Sequence, residues 1–324
     1  MITTRLVALS AGALLLATSA LAQAYPDRQI TMVVPFAAGG PTDTVGRLVA
    51  EKMSDELGQQ ILVENVGGAG GTLGAQQVAD AEADGYTILL HHIGMATAPT
   101  LYRNLGFDPV VDFAPVGLVT EVPMTVVARA DFEPTDAASF IQYVKDNADT
   151  ITMANAGIGA ASHLCGMLFM QAVEAPIVTV PYRGTGPAMT ELVGGQIDIM
   201  CDQTTNTTEQ IQGGTIKAYA VTTPERLETL PDVPTASEAG MPGVEVSVWH
   251  GIYAPAGTPQ EAIDRLQAAL ATALADPDIA ARLGELGTKP SPAEDATPDA
   301  LAGKLSSEIE RWRPVIEEAG VYAD

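Results

Sequence analysis

Apolar residues along the chain fall into short runs separated by glycine-rich breaks and by stretches with helical spacing. Gln29–Pro35 is a short apolar run that stops at proline. After it, Val45, Leu48, Val49, Met53 and Leu57 share one helical face up to Gly58, which predicts an amphipathic helix. Gln60–Glu64 predicts a second strand, a helix follows through Ala79, and Tyr86–Leu90 is a third strand. Further strands are predicted at Met124–Ala128, Ile151–Ala154, Val178–Pro181, Ile197–Cys201 and Ala218–Thr222. Helices are predicted at Asp136–Asn147, Ser162–Val173 and Pro187–Val193. Val116–Val127 and Val244–Tyr253 are longer, extended and apolar. The tail changes period: Ile263, Leu266, Leu270 and Leu274 share one face of Pro259–Ala275, and Leu301, Leu305, Ile309 and Trp312 one face of Asp299–Glu318.

Strand, glycine loop and helix in repeated succession predict a parallel sheet with helices on its faces. Two such blocks with a helical tail predict an α/β protein of two lobes. Residues 25–123 and 251–324 form the first, and 124–250 are inserted in it as the second. The two long extended segments are expected to pass between the lobes as a hinge. Ligands of open α/β sheets bind beyond the carboxyl ends of the strands, so a cleft between the lobes is the expected site.

Met1 to Ala24 reads as a secretory leader: Arg5, an apolar run from Leu6 to Ala17, then Ala20-Leu21-Ala22 and Ala22-Gln23-Ala24 as alternative cleavage sites. An exported, periplasmic chain is expected. The 324 residues carry 16 Lys+Arg against 40 Asp+Glu, a formal charge of −24. That balance argues against nucleic acid, whose phosphates are met by a Lys/Arg excess, and against an anionic membrane surface. In an oxidising compartment Cys165 and Cys201 can pair, pinning a helix to a sheet; two buried free thiols are the alternative. No cofactor or metal spacing is present, since neither Cys has a partner at C-x₂-C spacing and the four His form no H-E-x-x-H.

The residues that suggest chemistry are mostly glycines. The segments 37–43 and 67–74 each follow a strand and open a helix. Free N–H groups at helix N-termini bind anions, and glycine lets the backbone approach a ligand. Neither loop contains Lys or Arg, so the reading is a neutral cradle for a carboxylate; ordinary tight turns are the bland alternative. His91 and His92 are adjacent just after a strand and, as neighbours, are expected on opposite faces. Arg183 in Tyr182-Arg183-Gly184 could pair a ligand carboxylate bidentately, but a structural role is expected, capping a sheet edge or pairing Asp198 or Asp202. Asp202 and Gln203 close a strand where they can accept from a ligand ammonium or hydroxyl. The candidate ligand-binding set is Phe36, Ala38, Gly39, Gly40, Thr42 and Asp43 in the first loop, and Gly70 and Gly71 in the second. His91, His92, Gly157, Ser162, Tyr182 and Asp202 complete it. Ser162-His163 keeps an exported hydrolase or lyase open as a rival, and a ligand sensor for a membrane signalling protein is a second.

These motifs together resemble the Bug-type periplasmic solute-binding receptors of tripartite tricarboxylate transporters. The matching stretches are Val33-Val34-Pro35-Phe36-Ala37-Ala38-Gly39-Gly40 with Asp43 and Arg47, Val63-Glu64-Asn65 before Gly68-Ala69-Gly70-Gly71, and Asp84-Gly85-Tyr86-Thr87. Tyr182-Arg183-Gly184, Gly195-Gln196-Ile197-Asp198, Leu230-Pro231-Asp232-Val233-Pro234-Thr235 and Tyr253-Ala254-Pro255 follow in order. The resemblance implies a two-lobed, type II-like periplasmic-binding-protein clamshell joined by two crossing strands. It implies a monomeric, non-enzymatic receptor for a small carboxylate (amino acid, dicarboxylate or aromatic acid) that delivers it to a membrane permease. It places recognition on main-chain amides and bridging waters at Phe36 to Asp43 and at Gly70-Gly71. His91 and His92 stand where relatives often carry small polar residues, and the 162–165 and 200–203 stretches resemble a branch associated with acidic amino acids.

Overall fold

The computed structural model describes residues 25–323; the leader expected over Met1–Ala24 lies outside them. The amino-terminal block runs β1 (Ile30–Val34), α1 (Pro41–Leu57), β2 (Ile61–Asn65), α2 (Thr72–Ala79), β3 (Thr87–His92) and α3 (Gly94–Leu101). A long strand, β4 (Phe113–Arg129), leads to α4 (Ala137–Asp146), β5 (Thr152–Asn155), α5 (Ala161–Ala172), β6 (Val178–Pro181) and α6 (Thr185–Val193). Then come β7 (Ile199–Gln203), α7 (Thr204–Gln212), β8 (Ile216–Val221) and β9 (Ser247–Pro255). The tail is α8 (Gln260–Leu274), α9 (Pro277–Glu285) and α10 (Pro298–Ala319).

The strands join in the order β2-β1-β3-β9-β4-β7-β5-β6, with β8 also on β4. Two parallel cores, β2-β1-β3 and β6-β5-β7, are stitched together by antiparallel pairs. β4 pairs with β9 from Phe113 to Pro123, then changes partners and pairs with β7 and β8 from Met124 onward. The sheet is therefore mixed, not parallel throughout: strands that carry the chain out of one lobe and back must run antiparallel to each other. The result is a two-lobed α/β clamshell with two crossing strands.

Each lobe is held by apolar faces. In the first, Val45, Val49 and Met53 of α1 and Ile263, Leu266 and Leu270 of α8 pack on Met32, Val34, Ile88 and Leu90. α1 stops at Gly58, whose φ of 66° is the left-handed conformation and whose N–H returns to the Ser54 carbonyl. In the second, Cys165 of α5 is disulfide-bonded to Cys201 of β7, pinning helix to sheet. α7 carries no apolar stripe. α7 buries threonines instead, and Thr207 Oγ1 lies 2.8 Å from Thr125 Oγ1.

Candidate functional site

Helix beginnings converge between the lobes. Pro41 and Thr42 of α1, Ala161 and Ser162 of α5, Thr185 of α6 and Gln203 before α7 line one cavity, together with Phe36, His92, Ala156, Ala160 and Asp202. None of these four helices has a side-chain cap: their N-caps are Gly40, Ala160, Gly184 and Gln203. α4, α9 and α10 begin at capping Asp136, Asp276 and Thr297. α2, α3 and α8, whose starts do not line the cavity, are also uncapped, at Gly71, Ile93 and Pro259. An uncapped first turn leaves main-chain N–H groups without intrahelical partners, and the helix dipole adds positive potential there. In a chain of charge −24 no Lys or Arg lines this cavity, so the donors it offers are main-chain N–H groups and neutral side chains.

The lobes stand closed. Ala37 N–H donates to Arg183 O at 3.0 Å across the cleft. Tyr102 Oη donates to Ile158 O at 2.8 Å, and Thr97 Oγ1 to Gly159 O at 3.0 Å. Glycines permit this approach: a Cβ at Gly186 would lie 2.8 Å from Ala38 O, and one at Gly157 2.8 Å from Gly70 N. The volume left in the cavity is about 10 Å³, on the scale of one water. A ligand of several heavy atoms therefore needs the lobes to open for entry and the lining side chains to rearrange around it once they close.

The first loop is organised from inside. Asp43 is buried and accepts from Gly39 N at 2.9 Å, Asn65 Nδ2 at 2.9 Å and Arg47 Nε at 3.0 Å. Burial raises its pKa, but the bonds from Arg47, Gly39 and Asn65 outweigh that and hold the carboxyl below its usual range. Its oxygens are occupied in shaping the loop. Ala38 and Gly39 are exposed at the loop tip, whereas Gly40 is buried against Gly186. Gly70 meets Ile158 and Tyr102, and Gly71 meets His91 and Phe36. Tyr182 is half-buried with the Ala188 and Leu192 cluster.

His92 lines the cavity and stacks on Phe36 with ring centroids 4.5 Å apart. Its Nδ1 accepts from Gly94 N at 3.0 Å, which leaves the proton on Nε2. His91 Nδ1 accepts from His92 N, and the two rings sit 5.0 Å apart despite the strand alternation. His250 of β9 pairs with His92 across the sheet and places Nε2 3.3 Å from Thr42 Oγ1. Burial pushes His91 and His250 down to about 3 and His92 well below the imidazole range, so all three are neutral donors.

On the opposite wall, Asp202 is fully buried. Thr185 Oγ1 donates to it at 2.9 Å and Asn206 Nδ2 at 2.6 Å, yet burial raises its pKa to about 6. Arg183 does not pair with Asp198 or Asp202. Asp198 is taken by Arg129 and Thr152, and Arg183 contributes its main-chain carbonyl to the lobe contact instead. Ser162 Oγ accepts from Ala156 N at 2.9 Å and His163 Nδ1 from Gly159 N at 3.3 Å, so each side chain holds its own loop. Sequence reasoning left Ala156, Ala160, Ala161 and Thr185 out, whereas Pro41 and Gln203 lie in stretches it singled out. The absence of a capping side chain before α5 is the signal that could have found Ala160 and Ala161.

Fold and convergent helix ends define the class, a two-lobed periplasmic-binding-protein clamshell. Residues 45–321 match the family described as tripartite tricarboxylate transporter family receptor. The chain belongs to this family. A protein of Agrobacterium vitis, from the TAR-I ttuE-ttuC' intergenic region, is 54% identical over 296 residues, 91% of this chain and 86% of that one. The solved periplasmic binding protein BugD is 52% identical with a TM-score of 0.91, covering 93% of this chain and 100% of its own. MatC from Rhodopseudomonas palustris, solved with bound malate, is 43% identical with a TM-score of 0.87, covering 90% and 100%.

Proposed function

We propose that this chain, a member of a family of periplasmic solute-binding receptors, captures a small carboxylate between its lobes and presents it to the membrane subunits of a tripartite tricarboxylate-type transporter. The convergence of four uncapped helix starts on one interlobe cavity carries the reading. Main-chain N–H groups of Thr42, Ser162 and Thr185, with the Nε2 proton of His92, supply neutral donors for the carboxylate. Gly40, Gly70, Gly71 and Gly157 let the backbones close around it, while Phe36 and His91 shape the wall. Asp43 organises the first loop, and Ala38, Gly39 and Tyr182 act from the rim. The unit 124–250 swings against 25–123 and 251–323, a division supported by the change of partner along β4 at Pro123–Met124. Ligand shifts an open–closed equilibrium by touching both lobes. MatC, solved with malate, supports the ligand class.

A melting-shift screen over amino acids, dicarboxylates and aromatic acids tests the reading. One class should raise the melting point and be recovered chemically unchanged. At a hundredfold excess over Kd the stabilisation is about 2.7 kcal/mol. No shift with any carboxylate, or the appearance of product, refutes it. Transport of the ligand in cells lacking the protein separates delivery from sensing.

A further inference from the structure

Arg183 stands at the seam between the lobes with its side chain free. It lies two residues before Thr185, which lines the cavity, and its main-chain carbonyl accepts from Ala37 N–H of the other lobe at 3.0 Å. A Cβ on Gly67 of the first lobe would lie 3.3 Å from Arg183 Cβ, so the guanidinium springs from the line along which the lobes meet. The side chain is exposed and makes no ion pair, hydrogen bond or ring contact among the described residues. Other arginines are neutralised: Arg28, Arg129, Arg226, Arg265 and Arg282 each hold a carboxylate. Arg47, behind the first loop, is engaged by Asp43 and Asn65. A chain with 40 Asp+Glu against 16 Lys+Arg repels an anion at range, and an unpaired guanidinium at the mouth of the cleft opposes that repulsion locally. Arg183 does not line the closed cavity, so its charge acts on the approaching ligand and not on the enclosed one.

We propose that Arg183 steers the anionic ligand into the open cleft, raising the rate of capture and leaving the lifetime of the closed complex unchanged. The proposal rests on the carboxylate-receptor reading above and adds its kinetic route. In water, one unit charge about 7 Å from the entry path changes the encounter rate about threefold for a monoanion and about sevenfold for a dianion. Salt screens exposed charges, with a Debye length of about 3 Å at about 1 M, so the effect should vanish there. Rim charges act on association in this way, whereas desolvated contacts to the bound ligand act on its release.

The test is stopped-flow capture of the carboxylate found in the melting-shift screen, on the full secreted chain, from about 10 mM to about 1 M NaCl. Arg183→Gln keeps the main-chain carbonyl and with it the Ala37 contact. Its association rate should fall about threefold for a monoanion or about sevenfold for a dianion at low salt, and match the parent at high salt. Its dissociation rate should stay within about twofold of the parent's. Arg183→Glu should about square the loss. Lys145→Gln is the matched control, because it changes the net charge equally. Lys145 is exposed on α4, has no ion-pair partner among the described residues and does not line the cavity. That variant should capture ligand at the parental rate. A merely structural role for Arg183 would not give a loss that salt abolishes. An unchanged association rate, a loss equal to that of Lys145→Gln, or a change confined to dissociation overturns this inference alone. Failure of every carboxylate to bind the parent overturns the receptor reading with it.

Discussion

Gly186→Ala tests closure most directly. Gly186 is the second residue of α6 and precedes Pro187, whose ring disfavours a Cβ on a helical neighbour; that cost falls on the open and closed forms alike and leaves their equilibrium unchanged. In the closed form the added Cβ meets only main chain: Ala38 O at 2.8 Å, Gly39 C at 2.8 Å and Gly40 N at 2.9 Å. None of these atoms can rotate away, so the lobes must stand a few tenths of an ångström apart. Overpacking of one methyl costs about 1–3 kcal/mol, here in the closed state alone. The open–closed equilibrium shifts by that amount, and apparent Kd rises about 5–150-fold. Calorimetry on the ligand found in the screen measures the affinity, and small-angle scattering of the liganded protein measures closure. Gly303→Ala, with nothing within 4 Å of its Cβ, is the matched control and should bind like the parent. An unchanged Kd for Gly186→Ala would falsify the closure argument. A lower unliganded melting point reports only the cost beside Pro187.

The other predictions concern loop, acid response and disulfide. Asp43→Ala strips Gly39, Asn65 and Arg47 of their common acceptor and should cost about 2–3 kcal/mol in urea unfolding; a loss below 0.5 kcal/mol refutes its organising role. His91 and His250 at about 3, His163 at about 4 and His92 below its usual range are neutral when folded but protonate when unfolded near pH 6.5. Their stabilisation is complete above pH 6.5 and is lost as pH falls toward 3–4. Asp202, raised to about 6, works in the opposite direction between pH 6 and 4 but is outnumbered. Melting points should therefore fall steadily from pH 6.5 to 4.5, and His250→Gln should lessen the slope; a flat profile contradicts the burial argument. The Cys165–Cys201 bridge spans 36 residues, and replacing both by alanine should cost about 4 kcal/mol by loop entropy. Thiol titration of the unfolded, unreduced chain should find no free thiol.

What the sequence determined by itself is local and periodic. The α1 stripe ending at Gly58, the tail helices and the paired long extended segments follow from apolar spacing and glycine placement, because those signals act within a few residues. The glycine loops also marked where two helices begin. The tertiary structure decided what depends on distant neighbours. It converted the expected parallel sheet into a mixed one, since β4 and β9 must run against each other to cross between lobes. It formed α7 from buried threonines, whose partners Thr125, Leu286 and Gly287 lie far away in sequence and leave no apolar stripe to read. It used Arg183 through its carbonyl, since Arg129 already occupied Asp198. It also set the donor wall of His92 against the acceptor wall of Asp202 and Gln203. Spacing along the chain fixes which residues can face a loop, but only the closing of two lobes fixes which residues face each other.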